Sequence, residues 1–197
     1  MATVYDYLQN HTEAGRNVQK QQFEQNTLVY QPGDPQTHIR LIGKGAVKIG
    51  SYSPEGDRVV YDVLQPGEFF GDLSYLETDN VEFFEFARTI TSATVLSVAL
   101  PFFRHVIVHD PIMSDWFNQQ VVRRWWKAET RLLYMTRNDV DARLENLRKE
   151  YTKPVPDSQN RLHCVFDLLS HQTLADLTGT TRQTISRKLK ETPVCAV

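Results

Sequence analysis

Cysteine is scarce in this chain. Cys164 and Cys195 are the two thiols in 197 residues, too few for a disulfide scaffold and too far apart for a CxxC site. An iron–sulfur cluster of the all-cysteine, oxygen-sensing type needs four thiolates, so that type is not expected. Long apolar runs are missing as well: none approaches the roughly 20 residues that span a bilayer. The opening MATVYDYLQN has neither a basic n-region nor an apolar h-region. These absences predict a cytoplasmic protein without membrane contact. An excess of one charge is also lacking, since 22 Lys and Arg face 24 Asp and Glu for a net charge of −2. Such a balance disfavours a chain that coats nucleic acid over its whole surface, but the charge is unevenly spread. Residues 137–197 hold ten cations against eight acids, net +2, whereas residues 1–136 hold 12 against 16, net −4. Within 181–190 there are four cations and no acid, so the positive charge is local.

Glycine is rationed too, and its placement is informative. Seven of the nine glycines fall between Gly33 and Gly71, where TLVY, HIRLIGKGAVKIGSY, RVVYDVL and QPGEFFGDL alternate with turn residues. Short β-type runs punctuated this regularly predict an antiparallel roll or barrel, with another strand pair across 82–100. The polar residues 1–25 carry scattered apolar side chains that are expected to pack against this roll. A hydrophobic content of 41% and a charged content of 23% are those of an ordinary globular protein.

After the strands, neither proline nor glycine occurs from Ile112 to Lys153. PFFRHVIVH reads as a short helix. Asp110-Pro111 then opens a long one, with proline at the first position, where its missing N–H costs nothing. Val121, Trp125, Ala128, Leu132 and Met135 follow a 4-3-4-3 spacing, which is a coiled-coil seam. Val122, Trp126 and Leu133 make a second stripe beside it. Two stripes predict that one lies on the roll and the other on a twin helix, giving a parallel homodimer. Asn138-Asp139 is expected to cap a fresh helix over DVDARLENLRKEY, TKPVPDSQNR to form a loop, and HCVFDLL to form a short strand.

SHQTLADLTGTTRQTISRKLKE, residues 170–191, has the outline of a helix-turn-helix. Ser170 and Thr181 are suited to N-caps, Gly179 to the left-handed end of the first helix, and Ala175 to close helix contact. At about 100° per residue, Arg182, Gln183, Ser186, Arg187 and Lys190 share one arc of the second helix, and Ile185 and Leu189 hold the other. Arg can bridge guanine O6 and N7, Gln can pair with adenine, and Ser and Lys suit phosphates. Thr178 and Lys188 stand where such a motif normally has apolar residues. Ser170-x-x-Thr173 lacks the carboxylate of a capping box.

In this order and spacing, the PGD turn at 32–34, LIGKGAVKIG, QPGEFFGDL, the long helix, NDVDARL and LADLTGTTRQTISRKLK resemble the Crp/Fnr family of bacterial transcription regulators. The resemblance implies an α+β fold in three parts. A β-roll (jelly-roll) sensor domain spans 1–110, a long dimerisation helix 111–137, and a helix-turn-helix DNA-binding domain 138–197. Only TPVCAV comes after Glu191, so the last domain is expected to lack a full wing. The resemblance also implies a homodimer that reads a palindromic double-stranded DNA site and works with RNA polymerase. Thr181, Arg182, Gln183, Ser186, Arg187 and Lys190 would then contact DNA. Gln183 stands where the family usually has Glu, which exchanges a cytosine acceptor for an adenine partner and predicts an altered half-site.

The sensor half departs from the cyclic-nucleotide pattern. Gly71-Asp72-Leu73 resembles the family's G-E-L, but Phe83 and Phe84 fall where an Arg-Ser pair should meet the phosphate, and Ala128 and Glu129 replace the adenine-contacting hydroxyls. Burying a phosphate without a cation is costly, so cAMP is not the expected effector and no cofactor is assigned. Gly71, Asp72, Leu73, Phe83 and Phe84 remain the candidate effector pocket. The phenylalanines at 69, 70, 83, 84 and 86 either wall that pocket or fill a scaffold that acts without an effector. Haem or another metal would draw on His11, His38, His105, His109, His163 and His171. His105 and His109 share a helical face but have no third ligand or acidic partner in the sequence, so no metal is assigned. A cupin-type enzyme would need clustered His and Glu on strands, and only His38 lies in the strand region, so no enzyme activity is expected. The competing reading is a sensor or interaction protein that has lost DNA binding.

Overall fold

The computed structural model describes residues 3–73, 84–137 and 139–191. A short helix, α1 (Val4–Gln9), is closed by a reciprocal box between Thr3 and Asp6. Among the described residues eight strands come next: β1 (Val18–Phe23), β2 (Leu28–Tyr30), β3 (His38–Lys44), β4 (Val47–Tyr52), β5 (Arg58–Leu64), β6 (Phe69–Phe70), β7 (Phe86–Thr89) and β8 (Ala93–Ala99). They form two antiparallel sheets, ordered β1-β8-β3-β6 and β2-β7-β4-β5. The expected roll is therefore present, and residues 18–23 complete it by pairing with β8. Its interior is filled by Tyr30, Ile42, Val47, Ile49, Leu64, Phe70, Ala87 and Val95, so there is little slack between the sheets.

One irregularity in β5 shapes everything downstream. The β4–β5 register shifts between Ile49, opposite Asp62, and Gly50, opposite Val60, which leaves Tyr61 as the extra residue of a bulge. A Cβ on Gly50 would sit 2.2 Å from the Val59 carbonyl oxygen and 2.7 Å from the Phe86 ring, so no other residue fits there without moving the strand.

Helix α2 (Leu100–His109) leads to α3 (Pro111–Arg137). Asp110 Oδ1 accepts from the Ile112 and Met113 N–H groups at 2.9 and 3.2 Å, which satisfies donors that the start of a helix leaves open. The first turns of α3 are anchored where Phe69 meets Trp116, Phe117 and, on α2, Phe103, at ring-centroid distances of 5.6, 5.7 and 6.2 Å. Asp139 then caps α4 (Val140–Tyr151) by accepting from Ala142 N–H at 2.9 Å. A hairpin of β9 (Val155–Pro156) and β10 (Leu162–His163) is succeeded by α5 (Val165–Leu168), α6 (His171–Thr178) and α7 (Arg182–Glu191).

Three expectations need correction. TKPVPDSQNR is not all loop, since Val155–Pro156 within it pairs with Leu162–His163 as strand β9. HCVFDLL is a strand only at its start; Cys164 becomes a helix N-cap and VFDL coils into α5. Val165 and Phe166 both reach the buried core from that turn, which an extended strand with alternating faces would not allow. The third correction concerns α3. Neither of its apolar stripes lies on the roll: Trp125 is 62% exposed, Trp126 70% and Leu132 64%. The face turned to the roll carries Arg124, Lys127 and Arg131. The Arg124 guanidinium sits 4.9 Å from the Phe69 ring centroid. Lys127 Nζ lies 2.7 Å from Asp62 Oδ1 and 2.9 Å from Glu150 Oε1. Arg131 Nη2 lies 3.3 Å from Asp62 Oδ1, and its Nη1 donates to the Tyr61 carbonyl. Past the bulge, β5 offers α3 a carboxylate and free carbonyls, so cations fit where apolar side chains would leave those acceptors unpaired.

Candidate nucleic-acid interface and effector region

The α6–α7 pair is built from the caps its sequence announces. Ser170 Oγ accepts from Thr173 N–H at 3.1 Å and Thr181 Oγ1 from Thr184 N–H at 3.2 Å. Gly179 is left-handed at φ 59, and the Thr180 N–H returns to the Ala175 carbonyl at 3.0 Å, closing the helix end. Ala175 and Ile185 are fully buried. The two out-of-pattern residues find partners: Thr178 Oγ1 donates to the Leu174 carbonyl at 2.6 Å, and Lys188 Nζ reaches Asp141 Oδ2 on α4 at 2.5 Å. The first hydroxyl is satisfied within its own helix, and the second side chain ties α7 to α4.

Of the predicted DNA contacts, Thr181, Arg182, Gln183, Arg187 and Lys190 are exposed and Ser186 is half-buried. Arg187 faces Glu191 at 3.9 Å with both side chains mostly exposed, a pair of small worth that a phosphate or base edge can displace. The helix thus carries a free cationic and amide surface on an apolar anchor, and burying an isoleucine such as Ile185 stabilises by about 1.5–3 kcal/mol.

This unit is fastened to the roll. Asp176 Oδ2 accepts the Val60 N–H at 3.0 Å while Gln172 Nε2 holds its Oδ1 at 2.8 Å. A single apolar cluster runs from Ala46, Val60, Val63, Phe86 and Ile90 of the roll into Leu144, Leu147, Tyr151, Leu174, Leu177 and Ile185. The hairpin adds more bonds: Gly45 N–H donates to the Pro156 carbonyl at 2.8 Å, and Ser158 Oγ donates to Ser92 Oγ at 2.9 Å. Asp157 organises that hairpin. Burial works to raise its carboxyl pKa, but hydrogen bonds from His163, the Arg161 backbone and side chain and the Gln159 backbone outweigh it and hold the group well below the usual carboxylate range. A depressed folded-state pKa contributes stability above the unfolded value, roughly pH 4, that is lost as pH falls further. Asp157→Asn is therefore expected to flatten the acid limb of stability, checked by urea unfolding in steps from pH 6 to pH 2.5; an unchanged limb would discount the hairpin.

The candidate effector residues are placed differently from one another. Gly71, at φ 126, lies against β3, where an added Cβ would meet the His38 carbonyl oxygen at 3.0 Å. Asp72 is half-buried, and Leu73 packs on the α2–α3 side of the roll. Phe84 is 56% exposed beside Tyr61, and Phe83 lies outside the described residues. Phe69, Phe70 and Phe86 are core, each in a different apolar cluster. His105 and His109 adjoin at 4.7 Å between ring centroids, and among the described residues no group of three metal-ligating side chains forms.

The cavity of about 410 Å³ between roll and long helix has a different lining, including Tyr61, Asp62, Glu85, Arg124 and Ala128. Glu85 accepts hydroxyl hydrogens from Tyr61, at 2.5 Å, and from Tyr30. Burial pushes the Glu85 carboxyl above its ordinary range, only partly offset by those two hydroxyls. The carboxyl shares this cavity with the Arg124 and Arg131 side chains. Sequence reasoning missed Glu85, Asp62 and Asp176. Asp62 left one signal, an acid on the inward side of an otherwise apolar strand; Glu85 and Asp176 have partners far away in sequence and left none.

Comparison with known proteins now adds a second line of support. Residues 20–110 match the family model described as a cyclic nucleotide-binding domain. The chain is 29% identical over 177 residues to the global nitrogen regulator of Synechococcus elongatus, covering 87% of this chain and 78% of that protein. It is 24% identical over 176 residues to a CRP-like cAMP-activated global transcriptional regulator of Mycobacterium tuberculosis, covering 89% and 78%. By these matches the chain resembles Crp/Fnr-type regulators. The fold agrees with that of the c-di-GMP responsive regulator CLP of Xanthomonas campestris, at a TM-score of 0.68, 20% identity and coverage of 89% of this chain and 86% of that one. The two relatives are thus named as a nitrogen regulator and a transcriptional regulator, and among the described residues no helix is long and apolar enough to cross a membrane.

Proposed function

We propose that this chain is a homodimeric DNA-binding transcription regulator of the Crp/Fnr type that presents two α7 helices to a palindromic site and acts with RNA polymerase. The observation that carries this reading is the exposed Arg182, Gln183, Arg187 and Lys190 face on a helix anchored by fully buried Ile185. In the dimer, Val121, Trp125, Ala128, Leu132 and Met135 meet their copies, placing the two recognition helices in successive major grooves about 34 Å apart. Arg187 reads a guanine, Gln183 an adenine, and Thr181, Ser186 and Lys190 hold phosphates. In this reading cAMP is not the signal, because Phe83 and Phe84 stand where the resemblance places the Arg-Ser pair that would meet its phosphate, and a buried phosphate without a cation is costly.

A selection for bound duplexes is expected to return an inverted repeat. Affinity for that repeat should fall steeply between 50 and 200 mM salt, as counterion release requires of several Lys and Arg contacts. Arg187→Ala is expected to cost about 1–3 kcal/mol and to relax one position in each half-site. Recovered sequences without a repeat, or an alanine variant with unaltered sequence preference, would contradict the assignment.

A further inference from the structure

A second cavity, also of about 410 Å³, adjoins the first along the long helix and lies beneath the reading unit. Trp126, Tyr134 and Met135 of α3 line it with Arg143 and Leu147 of α4 and Leu177 of α6. Its size suits a small organic molecule.

The charges around it are nearly balanced. Lys127 and Arg131 also line it, but both are engaged by Asp62 and Glu150. Arg143 is not engaged: its Nε is buried without a hydrogen-bond partner, and no ion pair forms at its guanidinium among the described residues. The guanidinium also lies under the helix-turn-helix corner, since a Cβ added to Gly179 would come within 3.6 Å of Arg143 Nη1 and 3.7 Å of Met135 Sδ. The cavity therefore offers one unspent positive fork, an aromatic wall at Trp126 and Tyr134, and a floor of Met135, Leu147 and Leu177.

The geometry points to a binding site for a small aromatic monocarboxylate, its carboxylate on Arg143 and its ring against Trp126. A guanidinium takes a carboxylate through paired, charge-assisted hydrogen bonds, and one free cation selects a single negative charge. The bound ring would bridge α3, α4 and α6, so occupancy would fix the angle between the long helix and the reader. That regulatory consequence rests on the DNA-binding reading; the binding itself does not.

Titration calorimetry on the full chain tests the site directly, with indole-3-acetate, phenylacetate and 4-phenylbutyrate as probes and indole-3-acetamide as the uncharged control. Indole-3-acetate is expected to bind at or below about 1 mM and the acetamide at least about tenfold more weakly. Arg143→Met should abolish the difference between acid and amide. Trp126→Ala, at a 70% exposed position where folding is not at risk, should weaken both probes. The site is overturned if none of the three acids binds, if amide and acid bind alike, or if Arg143→Met binds the acid as the parent does. A parallel mobility shift with and without indole-3-acetate reads the regulatory step separately.

Discussion

Asp62→Ala is expected to destabilise the folded chain by about 3–5 kcal/mol, because it removes one partner of a buried ionic group and leaves the others in place. Asp62 faces Lys127 at 2.7 Å, Arg131 at 3.3 Å and the Tyr151 hydroxyl at 3.5 Å, and it has little solvent access. Without it, two cations share Glu150, whose side chain is about a third exposed. Burial disfavours the charge on Lys127, yet Asp62, with Tyr151, Glu68 and Glu150 behind it, holds the amine well above its ordinary range; the charge stays when the carboxylate goes. For a chain of this size the loss corresponds to a fall in Tm of roughly 6–20 °C. Glu150→Gln, at the more solvated end of the group, should cost far less. Equal effects at the two positions would show that solvent already screens the group.

Trp125→Glu and Leu132→Glu should each leave the fold standing and separate the proposed dimer. Both residues are more than 60% exposed in the single chain, so neither supports the core, and surface changes of this kind ordinarily move stability by no more than about 0.5 kcal/mol. In the dimer they would face their own copies in a parallel seam, where two apposed carboxylates repel and lie in apolar surroundings. Light scattering is expected to give the monomer mass. Affinity for the inverted repeat is expected to drop by about 10²–10⁴-fold, the usual gain from tethering two half-site contacts. A variant that remains a dimer would move the seam to another face of α3.

Much of this molecule is legible from its residues because the information is local. Gly179 needs a left-handed backbone, Ser170 and Thr181 have open amides three residues ahead, and Pro111 comes directly after its capping aspartate; each requirement is met within one turn of chain. The alternating runs 38–52 declare a roll for the same reason. The face that α3 turns inward is not local. It depends on a bulge at Tyr61 that exposes Asp62 and two carbonyls to a helix some 65 residues later, and the two apolar stripes gave no hint that cations would take that side. HCVFDLL fails for a related reason: Val165 and Phe166 are apolar enough for a strand, but they fill a gap beneath α4 that forms only in the folded chain.

Edge strands usually invite a neighbour's backbone. Strand β5 ends its sheet, and its amide at Val60 and its carbonyls at Tyr61 and Val63 are taken by Asp176, Arg131, Lys127 and Tyr151. The same stitches that seat the reader also deny that rim to stray chains. On the proposed function, a lineage altering the helix-turn-helix for a new operator must therefore keep Asp176 whatever else it changes, or trade operator choice against clumping.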